Sequence, residues 1–199
     1  MPKQIIKGRT IVADDWNLLR APVAEGADAA ATPAPADPAV VAALEVPAGR
    51  VIVPLATWLA QRDALSERAA AGEIGVWLAP DEDPRALRDD LGRLGVVAVD
   101  FPKFTDGRGY SHAWNLRSRL GWSGELRAIG DVLRDQLFSM QRVGFDAYDT
   151  RPDRSIEDAL KGLTVFSETY QASVDQRVPL FRRQARPVPA ATETAPTGA

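Results

Sequence analysis

The chain has 199 residues, 45% of them apolar and 26% charged, enough for one domain with a sizeable core and short for two. A formal net charge of -3 gives no general attraction to nucleic acid or to anionic lipid, so neither is an expected partner. With no Cys and a single His, the chain excludes disulfides, thiolate nucleophiles, iron-sulfur ligation, Cys-type zinc sites and the common multi-His metal centres.

The opening MPKQIIKGRTIVADDW has no apolar signal core, and no later run approaches the roughly 18 apolar residues that would span a bilayer, so the expectation is a cytoplasmic protein. Ile5, Ile6, Ile11 and Val12 flank a Lys7-Gly8-Arg9 turn, which predicts a short hairpin or strand within residues 1–24. Residues 25–49 are rich in Ala and Pro and offer little bulk to offset the entropy of ordering, the pattern of a flexible loop. Ten of the 15 prolines lie in residues 1–50 or 172–199, which marks 50–171 as the core domain and 172–199 as a largely disordered tail.

Inside the core, short continuous apolar runs alternate with 3.6-residue spacing, as buried parallel strands joined by amphipathic helices do. VIVPL is followed by Leu55, Trp58, Leu59, Leu65 and Ala69; further runs begin near Ile74, Val96, Glu125 and Phe145, at intervals of 22, 29 and 20 residues. The stripes between and after them are Leu87, Leu91 and Leu94; Tyr110, Ala113, Trp114 and Leu120; Leu133, Leu137, Met140 and Val143; and Ile156, Ala159, Leu160, Leu163, Phe166 and Tyr170. Asp83-Pro84 and Ser155 with Asp158 read as helix starts, and Gly95, Gly121 and Gly144 as left-handed helix ends. The fold class is α/β: a single domain with a mostly parallel sheet of about five βα units, either an open doubly wound sheet or an incomplete barrel, with a short N-terminal hairpin.

Ligands of parallel α/β folds bind beyond the carboxyl ends of the strands, so chemistry is sought between each strand and the next helix. Two junctions are dense in polar groups. The first runs from Asp100 to His112 and holds Lys103, Asp106, Gly107, Arg108, Gly109 and Tyr110; it suits a small anion, or else consists of capping carboxylates and solvated cations. The second is Gly130, Asp131, Arg134, Asp135 and Gln136, where an acid at the strand end and a cation one turn on suit a polar ligand, or else Asp131 is a cap. Candidate catalytic groups are Asp100, Asp131 and Arg134, and candidate ligand-binding groups are Lys103, Asp106, Gly107, Arg108, Gly109, Tyr110 and Gln136, with no metal site. His112 lacks a visible partner for acid-base work, and GxGxxG, GxxxxGK[ST], GxSxG and HExxH are all absent.

VAVDFPKFTDGRGYS (97–111) and ELRAIGDVLRDQLFSMQRVGFDAY (125–148), with PLATWLA and GVWLAPDEDP before them, resemble the bacterial family called domain of unknown function 934 over roughly residues 50–171. Members of that family generally lie in gene clusters for assimilatory sulfate and sulfite reduction and are often named oxidoreductases on that context. The resemblance implies a role in reducing sulfite toward sulfide for cysteine synthesis, as an accessory or electron-transfer-associated protein, with sulfite reductase or another sulfate-assimilation enzyme as partner and a small anion as ligand. It implies no particular cofactor: redox work here needs a flavin, a nicotinamide or a partner enzyme. The alternatives are an independent small-molecule enzyme binding an anion at the strand ends, and a structural interaction module.

Overall fold

The computed structural model describes residues 3–21 and 37–183. Among them one eight-stranded mixed sheet runs in the order β2-β1-β8-β7-β6-β5-β4-β3. The strands are β1 (Gln4–Lys7), β2 (Thr10–Ala13), β3 (Asn17–Leu18), β4 (Val51–Pro54), β5 (Ile74–Leu78), β6 (Val96–Phe101), β7 (Glu125–Gly130) and β8 (Ala147–Tyr148). Strands β3 to β8 are mutually parallel; β1 runs antiparallel to both β2 and β8.

That order decides between the two architectures left open by the sequence. A doubly wound sheet reverses its strand order at a switch point, whereas β3 to β8 advance without reversal. Right-handed crossovers in one direction leave every connecting segment on one face of the sheet. The two edge strands, β2 and β3, are separated in the chain only by Asp14, Asp15 and Trp16. Such a link reaches at most about 14 Å. The sheet is therefore curled on itself into an incomplete barrel, with an inner face that is an interior.

Side-chain alternation follows. Val97, Val99 and Phe101 of β6, with Val51, Val53, Ile74, Val76, Leu78, Leu126, Ala128 and Tyr148, face the helical layer. Their neighbours Ile52, Val96, Ala98 and Ile129 face inward with Trp16, Leu18 and Trp77. The outer layer comprises α1 (Pro38–Ala42), α2 (Leu55–Gln61), α3 (Ser66–Ala70), α4 (Arg108–Ser118), α5 (Arg134–Val143) and α6 (Ile156–Leu160). A last helix, α7 (Leu180–Arg183), ends the described chain.

Several expectations change. The Leu87, Leu91 and Leu94 stripe forms two 3-10 turns, Pro84–Leu87 and Leu91–Arg93, rather than an α-helix; Asp83 does cap the first, accepting from Arg85 N–H at 2.9 Å. Asp90, buried between these turns, accepts from Trp58 Nε1 and pairs with Arg62 and Arg93, which holds the segment in this tighter form. Gly121 and Gly144 are left-handed but Gly95 is not; it is small because Trp16 packs where its Cβ would lie. Residues 37–49, assigned to the flexible loop, contain α1, fastened by Thr57 and Gln61 donating to Val41, Ala42 and Leu44 carbonyls. Residues 25–36 of that loop and 184–199 of the tail lie outside the described residues. The last apolar stripe ends as α-helix at Leu160, with a 3-10 turn at Lys161–Thr164, and leaves Phe166 and Tyr170 in an irregular segment. Among the described residues no helix is long and apolar enough to cross a membrane.

Candidate functional site

The dense junctions of the sequence meet each other at the carboxyl ends of β6 and β7. Register places Asp100 beside Ile129 and Phe101 beside Gly130. Asp131 N–H donates to the Phe101 carbonyl at 2.7 Å, and Asp131 Oδ2 accepts from Phe104 N–H at 2.8 Å. Gln136 Nε2 donates to the Phe104 carbonyl at 3.1 Å while its Oε1 accepts from Leu133 N–H at 3.0 Å. Both backbone groups of Phe104 are thus fixed by the following βα unit. Asp131 and Gln136 act as ties between loops, and the N-cap of α5 is Leu133 rather than Asp131.

The remaining residues of the first junction are occupied locally. Asp106 accepts from Arg108 N–H, Nε and Nη2 at 3.1, 3.0 and 2.7 Å, and the guanidinium holds its carboxyl below the usual range. Gly107 is the N-cap of α4, and Lys103 is exposed. Gly109 lets α4 approach β6, since a Cβ there would lie 2.6 Å from the Phe101 ring. Tyr110 packs edge-on to Phe101 at 5.6 Å, and burial pushes its phenol up. His112 is half-buried, with Nε2 3.3 Å from the Ala79 carbonyl. Arg134 turns to the helical layer, where Nη1 meets both carboxylate oxygens of Asp158 at 3.0 Å. It therefore does not share the strand-end mouth with Asp100.

Asp100 does face that mouth. It is 7% exposed, and its Oδ1 accepts from Arg20 Nη2 at 2.6 Å. Arg20, just beyond β3, lies over the Trp77 ring at 5.1 Å. At the adjoining end of β8, Lys3 pairs with Asp149 at 2.6 Å, and Arg151 bridges Asp131 at 3.1 Å and Asp153 at 2.8 Å. Gly130, at φ 93°, has no room for a Cβ beside the Phe101 carbonyl and Asp100 Oδ1. A cleft of about 500 Å³ opens here, lined by Lys3, Arg20, Gly130, Asp149, Arg151 and Arg154 among others.

Below the mouth the barrel interior is charged. Arg127, 2% exposed, binds Asp14 at 2.9 Å and Glu125 at 2.7 Å, and Lys7 closes on Glu125 at 2.8 Å. Sequence reasoning missed Lys3, Arg20, Asp149, Arg151 and Arg154. The N-terminal residues carry no strand-helix junction motif: pairing of β1 with β8 sets Lys3 beside Asp149, and Arg20 reaches Asp100 of β6 from beyond β3 at the far edge of the sheet. One signal was present in Asp149, which directly follows β8 as a strand-end carboxylate. Among the described residues no three His, Asp or Glu side chains are grouped to hold a metal ion.

Fold and site together define a βα protein with an incomplete barrel and an ion-paired strand-end mouth. The family described as bacterial protein of unknown function (DUF934) matches residues 75–181, more than half of the chain, and the chain belongs to it. No curated protein and no solved structure matches.

Proposed function

We propose that the chain is a cytoplasmic accessory protein of assimilatory sulfite reduction that holds a small oxyanion at its strand-end mouth. The observation that carries the binding half of this reading is the convergence of Lys3, Arg20, Arg151 and Arg154 on one cleft from segments distant in sequence. The pathway half rests on the family resemblance. Strand carboxyl ends are where βα barrels bind ligands, and guanidinium pairs recognise oxyanions through two parallel donors. Within this reading the donors to the oxyanion come from this group rather than from Lys103, Arg108 and Arg134, whose positions are given above.

Asp100 orients Arg20 and Asp149 orients Lys3, so the cations are held in place before any ligand arrives. Preorganised donors bind an anion with less loss of side-chain entropy. Asp149 lines the cleft, and Asp100 and Asp131 are tied to its Arg20 and Arg151; these are the acids for proton exchange with a bound oxyanion, and sulfite reductase supplies the electrons.

The test is sulfide production by purified sulfite reductase with its electron donor, with and without this protein. Wild-type protein stimulates the rate; folded Arg20→Ala loses the stimulation, and its calorimetric affinity for sulfite falls at least tenfold. No effect of wild-type protein at saturation would sink the reading.

A further inference from the structure

After α6 and its 3-10 turn the chain continues as an irregular strap, residues 165–183, across the outer face of α5. Its orientation inverts the usual loop. The polar groups point inward: Arg142 of α5 donates to Asp175, Thr169 and the Gln171 carbonyl, Ser173 Oγ and Val174 N–H donate to the Arg142 carbonyl, and Arg183 binds Glu168 and the Thr169 carbonyl. The aromatic groups stay largely in water: Phe166, Tyr170 and Phe181 are 60, 69 and 55% exposed, with one side of the Phe166 ring packed on Phe138 of α5 at 4.8 Å. Tyr170 and Phe181 lie 6.5 Å apart, and Arg182 sits over the Phe181 ring at 5.6 Å. Val178 is also exposed.

Holding aromatic side chains in water adds nothing to folding, because the hydrophobic gain comes only with removal of area from solvent. Exposed Tyr and Phe beside Arg are instead the residue types of interface centres. The charges choose among partners. Asp175 and Glu168 are taken by Arg142 and Arg183, which leaves Arg177 and Arg182 without an ion pair among the described residues. A two-fold contact with a second copy would bring together two patches that each carry the unpaired Arg177 and Arg182, since such contacts use the same patch on both subunits. Two cations, at about 1 kcal/mol each near anionic lipid, are too few to anchor a chain of net charge -3 on a membrane.

We infer that the strap is a docking surface for a partner protein whose apolar contact patch is rimmed by carboxylates. The inference rests on the proposed role in sulfite reduction, which makes the reductase the partner.

The experiment titrates purified sulfite reductase into the full-length protein by calorimetry at low and high salt. Wild type binds, more weakly at high salt. Tyr170→Ala and Phe181→Ala each weaken binding at least tenfold. Arg177→Gln with Arg182→Gln weakens it and abolishes the salt dependence, while sulfite affinity at the strand-end mouth is unchanged in all. Equal reductase affinity for wild type and the three folded variants overturns the docking surface and leaves the accessory role standing. Absence of any complex with wild type overturns both. Strap-dependent self-association in ultracentrifugation, or strap-dependent binding to vesicles containing phosphatidylserine with none to reductase, assigns the surface to a second copy or to lipid and overturns the inference.

Discussion

Gly109 shows how a residue with the appearance of a ligand-binding group serves packing. In sequence it belongs to a Gly-Arg-Gly stretch at a helix start, the pattern that lets an anion approach backbone amides. In the fold it lies in the first turn of α4 directly over Phe101, whose ring is fully buried. Adding one methyl forces the ring or the helix to shift. Gly109→Ala is expected to destabilise the protein by about 1–3 kcal/mol, the usual cost of overpacking a core, read as a lower urea midpoint at unchanged slope. The helix-propensity gain of Ala over Gly, about 1 kcal/mol, opposes this, so a net stabilisation would show that α4 is free to move. Gly130 is constrained differently, by a positive φ as well as by the Phe101 carbonyl, and no L side chain suits it.

The second junction was legible as a motif, and its composition was compatible with ligand binding or capping alike. What Gln136 does depends on the loop before α4, which lies 32 residues earlier. By satisfying Leu133 N–H and the Phe104 carbonyl together, this buried amide joins α5 to the β6–α4 loop. Gln136→Leu preserves the volume and leaves both backbone groups without a partner, at an expected cost of about 1–3 kcal/mol. Hydrogen exchange at the Leu133 amide checks the mechanism: protection there falls more than the global loss of stability accounts for. Unchanged protection would mean that another acceptor takes over. The strap failed as a helical prediction for a related reason. Ile156 to Leu163 keep the 3.6 spacing, but the apolar stripe runs on into Phe166 and Tyr170, and periodicity cannot tell an aromatic that will be buried from one held at the surface.

At the scale of the molecule, the inner face of the barrel is not wholly apolar. Arg127, Asp14 and Glu125 form an ion-paired group deep inside it, with donors and acceptors drawn from β7 and from the link between β2 and β3. Removing one member of such a group leaves an uncompensated buried charge. Arg127→Met is expected to cost about 3–5 kcal/mol in urea denaturation, and combining it with Asp14→Leu restores part of the loss. A single variant as stable as wild type would mean that water reaches the interior from the mouth.

Sequence by itself determined the alternation of strands and helices, the hairpin, the positions of β4 to β7 and the two specific junctions. These depend on local hydrophobic period and on turn and capping residues a few positions apart. Tertiary structure alone decided that the sheet curls instead of remaining open, because that follows from β2 and β3 being neighbours in the chain yet opposite edges of the sheet. It also decided that Lys3 and Arg20, rather than Arg134, reach the mouth. Arg20 and Asp100 are 80 positions apart, and no local pattern carries a contact made only when the barrel forms.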